Sequence, residues 1–167
     1  MARSRSDIAN TAVRIFLQEM GKEYDRERDL EPFAKKHLKG EVLEFFKSRC
    51  CFCDVELTPA RVCGDHLIPM NKKDLGLDAW GNIVPACNAC NSKKHADDWR
   101  DFIIQRAGPN AAERHQRMQD FLAAYPYKPA YELGSIVADL YDESAAVAMA
   151  LIHEKVVRTK ETLQPTT

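Results

Sequence analysis

The stretch CCFCDVELTPARVCGDHLIPMNKKDLGLDAWGNIVPACNACNSKK, residues 50–94, decides how this chain folds. Two CxxC pairs, Cys50/Cys53 and Cys87/Cys90, bracket an Asp65-His66 dipeptide and stop directly against Asn91. Thiolates with two residues between them converge on one ion from a tight turn. Two such pairs supply the four ligands of a closed tetrahedral zinc site. Six cysteines arranged mainly as CxxC, in a chain whose first residues do not read as a secretory leader, favour metal over disulfides and a reducing cytoplasm. Cys51 and Cys63 fall outside the paired spacing and read as buried or idle thiols, with Cys51 an alternative to Cys50 as ligand.

Between the pairs, VCGDHLIP offers a short strand over 62–68 and GNIVPAC a second over 82–84. Side chains alternate along a strand, so Asp65 and His66 point to opposite faces. After Cys90, SKKHADDWRDFIIQRAG reads as one helix, with Trp99, Phe102, Ile103 and Ala107 on one face and Gly108-Pro109 as its stop. The element order is strand, strand, helix.

That order, the Asp-His pair, the asparagine of GNIVP and the CNACN-SKK ending resemble the HNH or ββα-metal endonucleases over residues 50–95. One branch of that family, which includes phage junction-resolving nucleases, binds structural zinc through four cysteines and places an asparagine directly after the last, as Asn91 stands here. The resemblance implies hydrolysis of a phosphodiester in nucleic acid, usually DNA, with one divalent ion. It also implies a support role for Asn82, whose amide ties loop to hairpin.

The residue chemistry points the same way. A neutral imidazole, with an ordinary pKa of about 6.5, can take a proton from water, which makes His66 the candidate general base. Asp65 and Asn91 offer hard oxygen donors of the kind that suit Mg²⁺ or Mn²⁺. His95, four residues after Asn91, shares a helical face with it and is a candidate third ligand. Lys93 and Lys94 in the first turn of that helix, with Lys72 and Lys73, are candidate phosphate contacts. Two CxxC pairs by themselves more often mark a structural zinc ribbon or knuckle than an enzyme, and the Asp-His pair, Asn82 and Asn91 reverse that balance; the rival readings are a zinc-stapled nucleic-acid-binding module without hydrolysis and an interaction protein that reuses the fold.

Composition bounds the rest. The chain has 167 residues, 45% of them hydrophobic, and no apolar run of membrane-spanning length. With 24 basic against 25 acidic residues it lacks the excess positive charge of a strong non-specific DNA binder. Positive charge is local, at Lys35-Lys36, Lys72-Lys73, Lys93-Lys94 and Arg3, Arg5 and Arg14, so modest and salt-dependent affinity is expected.

The expected fold class is α+β, mainly helical: a ββα-metal module with a structural four-cysteine zinc at 50–107, a helical segment at 1–49 and another at 108–167. A first helix is expected over 4–20 with Gly21 as its stop. A second opens at Pro32 and runs toward Ser48, with Gly40 its weak point. Asn110 is expected to cap a third, carrying Ala111, His115, Met118, Leu122 and Tyr125. YPYKPAYELG, residues 125–134, reads as a loop against the core, or as aromatics for stacking on bases. A last helix over 135–162 places Val137, Leu140, Val147, Leu151 and Ile152 on one side, and the tail 163–167 reads as frayed. His37, His115 and His153 read as face or core histidines. The flanking helices are read first as core packing, and second as a DNA clamp or a homodimer contact.

Overall fold

The first helix begins where a reciprocal cap can form: Asp7 N–H donates to the Ser4 hydroxyl and Ser4 N–H donates to the Asp7 carboxylate. The computed structural model describes residues 4–163, so Arg3 and tail residues 164–167 lie outside the described residues. Helix α1 covers Arg5–Arg26 and passes straight through Gly21. That glycine is a seat for a loop: a Cβ there would stand 2.4 Å from the carbonyl oxygen of Asp78. Only a residue without a side chain lets the loop lie this close.

Helix α2 spans residues 35–45, three residues after Pro32, and its Leu38–Val42 portion is π-helical around Gly40. Strands β1, Cys63–His66, and β2, Ile83–Ala86, pair antiparallel in the register Cys63 to Ala86, Asp65 to Val84 and His66 to Ile83. Then follow α3, Asn88–Lys94, α4, Trp99–Ala107, a 3-10 turn, Gly108–Asn110, α5, Ala111–Ala124, and α6, Gly134–Leu163. The single helix expected over 92–108 is two. Backbone at His95 turns to φ 47° and ends α3, and Asp98 starts α4 by accepting from Arg100 N–H. Asn110 makes no side-chain cap on α5; its amide donates instead to the Asp54 carboxylate.

Two apolar clusters hold these elements. The first gathers Leu38, Val42 and Phe46 of α2 and its end, Phe52 of the cysteine turn, Ile83 and Val84 of β2, Phe102 and Ile103 of α4, and Met118 and Phe121 of α5. It therefore draws on all three stretches that the sequence delimits. The second joins Val13, Leu17 and Tyr24 of α1 to Val137 of α6 and to Leu77 and Ala79 of the loop before β2.

Asp25 links the clusters. Its buried carboxylate accepts from Phe33 N–H at 2.8 Å and Trp80 N–H at 3.2 Å, and pairs with Arg28 at 2.6 Å. Residues 125–134 form a strap over the same loop. Tyr125 stacks on Trp80 with centroids 4.6 Å apart, Leu77 N–H donates to the Tyr127 hydroxyl, and Lys128 N–H donates to the Tyr24 hydroxyl. Gly81 makes the crossing feasible, with φ 85° and a hypothetical Cβ 2.2 Å from the Tyr125 carbonyl oxygen.

Helix α6 departs from the expected stripe. Val137 is buried and Leu140 half-buried, but Val147, Leu151 and Ile152 are exposed. Val147 points away from the face on which Ala145 is buried, while Leu151 and Ile152 lie toward the end by which α6, about 45 Å long at 1.5 Å per residue, outruns the roughly 33 Å of α1. No helix among the described residues is long and apolar enough to cross a membrane.

Asp25→Ala should strand Arg28 and two buried N–H groups and cost about 3–5 kcal/mol, measured by urea denaturation. A loss below about 1 kcal/mol would place the link between the clusters elsewhere.

Candidate metal clip and hairpin site

The cysteines are placed by two short turns. Asp54 N–H donates to the Cys50 carbonyl and Cys50 N–H to the Val55 carbonyl, closing the first CxxC with Asp54 at φ 65°. Buried Arg114 of α5 pairs with the Asp54 carboxylate at 2.8 Å and fixes this turn. In the second CxxC, Cys87 caps α3: Cys90 N–H reaches Cys87 Sγ at 3.4 Å, and Cys87 N–H reaches Cys50 Sγ at 3.4 Å.

Together the four Sγ atoms of Cys50, Cys53, Cys87 and Cys90 lie within 4.8 Å of one another, with Cys53 and Cys87 3.7 Å apart. A tetrahedral tetrathiolate with Zn–S bonds of about 2.3 Å has sulfurs about 3.8 Å apart. The cluster therefore fits zinc. Hydrogen bonds from the Cys51 and Cys90 thiols draw Cys50 far below the usual thiol range, and the same Cys50 sulfur holds Cys90 up. Arg106 of α4 lies against Cys90 and offsets the negative charge that four thiolates would gather. Cys51 and Cys63 are not in this mutually close set; Cys51 is buried beside it and the Cys63 thiol donates to Asn88.

On the hairpin, alternation sends Asp65 inward, 4% exposed, and leaves His66 half-buried at the surface. His66 Nε2 lies 2.9 Å from Asp78 Oδ1. Asp65 Oδ2 lies 3.2 Å from Lys94 Nζ, within ion-pair distance but without an aligned hydrogen bond. Burial pushes the Asp65 carboxyl up from its ordinary value, and the neighbouring Lys94 ammonium works against that shift. Asn91 stands three residues before Lys94 on α3 and so shares the helical face from which Lys94 meets Asp65 of β1.

Asn82 is fully buried. Its amide oxygen accepts from Ile68 N–H at 2.8 Å, and its nitrogen donates to the carbonyls of Ile68 at 3.0 Å and Leu77 at 2.8 Å. It thus pins both ends of the loop that carries Asp78 to the foot of the hairpin.

Three lysines stand apart from the fourth. Lys72, Lys73 and Lys93 are exposed, Lys72 lying over the Tyr141 ring at 3.7 Å. Lys94 is not a surface phosphate contact: it is wholly buried, and its ammonium donates to the His66 carbonyl at 3.1 Å as well as facing Asp65. His95 is exposed and beyond the end of α3, so the helical spacing that paired it with Asn91 does not apply.

Sequence reading missed Asp78, Arg106, the Asp54–Arg114 pair and the inward turn of Lys94. Asp78 sits twelve residues from His66 in an irregular loop, where no periodicity reports on it.

Cys87→Ser, or removal of metal by chelation, should abolish cooperative thermal unfolding, because metal binding at such sites is folding energy. An unchanged melt would show these thiols to be idle. Lys94→Met should cost about 3–5 kcal/mol by leaving a buried carboxylate uncompensated. Lys93→Met on the exposed side should stay within about 0.5 kcal/mol. Equal effects in chemical denaturation would contradict the asymmetry.

Residues 49–97 match the HNH endonuclease family. Septu protein PtuB of Bacillus thuringiensis is 23% identical over 91 residues, taking in 53% of this chain and 35% of that protein. This chain thus spans about a third of that curated relative's length. The crystal structure of the Type II-C Cas9 enzyme from Actinomyces naeslundii aligns over 77% of this chain and 13% of that one, at 17% identity and a TM-score of 0.36. The four cysteines, the Asp65-His66 pair, Asn82 and Asn91 all lie within residues 49–97, the stretch that matches the HNH endonuclease family.

Proposed function

We propose that this chain is a metal-dependent endonuclease that hydrolyses phosphodiester bonds in DNA, with His66 as general base. The observation that carries the reading is the split at one dipeptide: Asp65 is buried while His66, its neighbour, reaches solvent with one ring nitrogen held by Asp78. One side chain is placed to hold charge and the next to move a proton.

The residues fit a hard divalent ion. Asp65 Oδ2 is a buried oxygen without an aligned donor, and the Asn91 amide on α3 adds a second oxygen, leaving the remaining positions to water and phosphate. Mg²⁺ or Mn²⁺ held by Asp65 and Asn91 would supply Lewis-acid polarisation of the phosphate and neutralise the leaving alkoxide. His66 takes the proton of the attacking water on the ring nitrogen that Asp78 leaves free. Asn82 keeps the imidazole in place by tying the loop to the hairpin, and Lys94 keeps the buried Asp65 carboxylate compensated in the ion's absence. His95 has no part in this scheme.

Affinity for DNA rests on local charge. Net charge is −1, and Lys72, Lys73 and Lys93 are among the exposed cations that can meet the backbone, so binding should weaken steeply with salt. One hairpin presents one imidazole, so a double-strand break takes two copies acting together.

The test is supercoiled plasmid with purified protein and Mg²⁺ or Mn²⁺, wild type beside His66→Ala. Wild type should nick or linearise the plasmid, and the variant should lose about a hundredfold or more of the rate, as expected for a lost general base. Retardation of DNA on a gel by both proteins, with no cleavage by either, would make the chain a binding module.

A further inference from the structure

Between the cysteine pairs, one side chain meets the imidazole of the candidate base. His66 Nε2 is 2.9 Å from Asp78 Oδ1, and the two side chains are 23% and 21% exposed. Asp78 stands in a loop of no regular structure, yet its surroundings are fixed from every side. Leu77 is held by the Tyr127 hydroxyl at its N–H and by Asn82 at its carbonyl. Trp80 is held by Asp25 at its N–H and by Arg28 at its carbonyl. Between these clamps the Asp78 backbone rests on Gly21 of α1, where a Cβ would meet its oxygen at 2.4 Å, its carbonyl carbon at 2.8 Å and its nitrogen at 2.9 Å. All three are backbone atoms, so no side-chain rotation relieves the clash.

Resting on the nuclease reading above, we infer that Asp78 is a positioning residue that fixes the tautomer of His66, and that Gly21 on α1 sets where Asp78 stands. A carboxylate only accepts, so it takes the Nε2–H of the neutral ring and leaves the Nδ1 lone pair as the base. The same contact prevents ring flipping. An N-terminal helix far from the motif in sequence thereby controls the orientation of the imidazole.

The zinc-loaded full chain is labelled with ¹⁵N-histidine, and the His66 ring signals are assigned by their loss in His66→Gln. In mildly alkaline buffer without divalent cations, wild type should show a locked Nε2–H tautomer. Asp78→Ala should show averaged signals, and Asp78→Asn, which keeps an acceptor oxygen, should stay closer to wild type. With Mn²⁺ and plasmid, Asp78→Ala should lose about tenfold to a hundredfold in kcat, the range expected on removing a group that orients a site histidine through its other ring nitrogen. KM should change less than about threefold. Gly21→Ala should move both readouts in the same direction, whereas Gly134→Ala, with nothing within 4 Å of the added carbon, should move neither.

A wild-type ring protonated on Nδ1, or an Asp78→Ala protein with unchanged ring signals and unchanged kcat, overturns the role of Asp78. A folded Gly21→Ala protein with wild-type His66 signals overturns the role of α1. Should wild type show the locked tautomer but cut no DNA, the nuclease reading fails while the positioning contact stands.

Discussion

Four sulfur atoms within 4.8 Å of one another are the constraint on which the rest of the hairpin depends. A two-stranded sheet of four residues per strand has little stability of its own in water. Here its outer end is clipped: Cys50 and Cys53 approach from the turn after α2, and Cys87 and Cys90 open the helix that follows β2. Since α3 starts at the clip, its direction is set there, and one turn later Asn91 and Lys94 come to lie over β1. A metal held by these thiols would therefore set the distance between the Asp65 strand and its facing helix. Stability and the candidate chemistry share a single cause.

The opposite end of the hairpin is held without sulfur. Asn82 closes the base of the loop, Asp25 gathers Phe33, Trp80 and Arg28, and the tyrosine strap covers the outside. The hydrogen bonds among these contacts fix backbone groups that a long loop would otherwise leave to water, so the loop behaves as part of the core. The two apolar clusters meet along it, with Leu77 and Ala79 in one and Trp80 in the other. Segments flanking the family motif thus serve it structurally, α1 and the strap from one side and α2, α4 and α5 from the other.

Much of this was legible from residue order. CxxC spacing is a local property of a turn, so the four-sulfur cluster could be read from the sequence, and the alternation that separates Asp65 from His66 follows from strand geometry alone. The loop reading of 125–134 followed from its prolines, although the tyrosine hydroxyl partners did not. What stayed hidden was long-range. Gly21 looked like a helix stop because glycine usually is one; its function is a contact with Asp78, fifty-seven positions later in the chain. Lys94 looked like a phosphate contact because lysines in first helical turns commonly are, until Asp65 drew it inside. Val147, Leu151 and Ile152 formed a plausible buried stripe, but Val137 and Ala145 are the residues that face inward.

The central claim is that the clip is a metal site. Anomalous diffraction from crystals of the purified full chain, recorded on both sides of the zinc edge, tests that most directly. The expected result is one strong zinc peak per chain, about 2.3 Å from each Sγ of Cys50, Cys53, Cys87 and Cys90, with none at Cys51 or Cys63. No peak among those four sulfurs, or a disulfide joining any two of them, would contradict it.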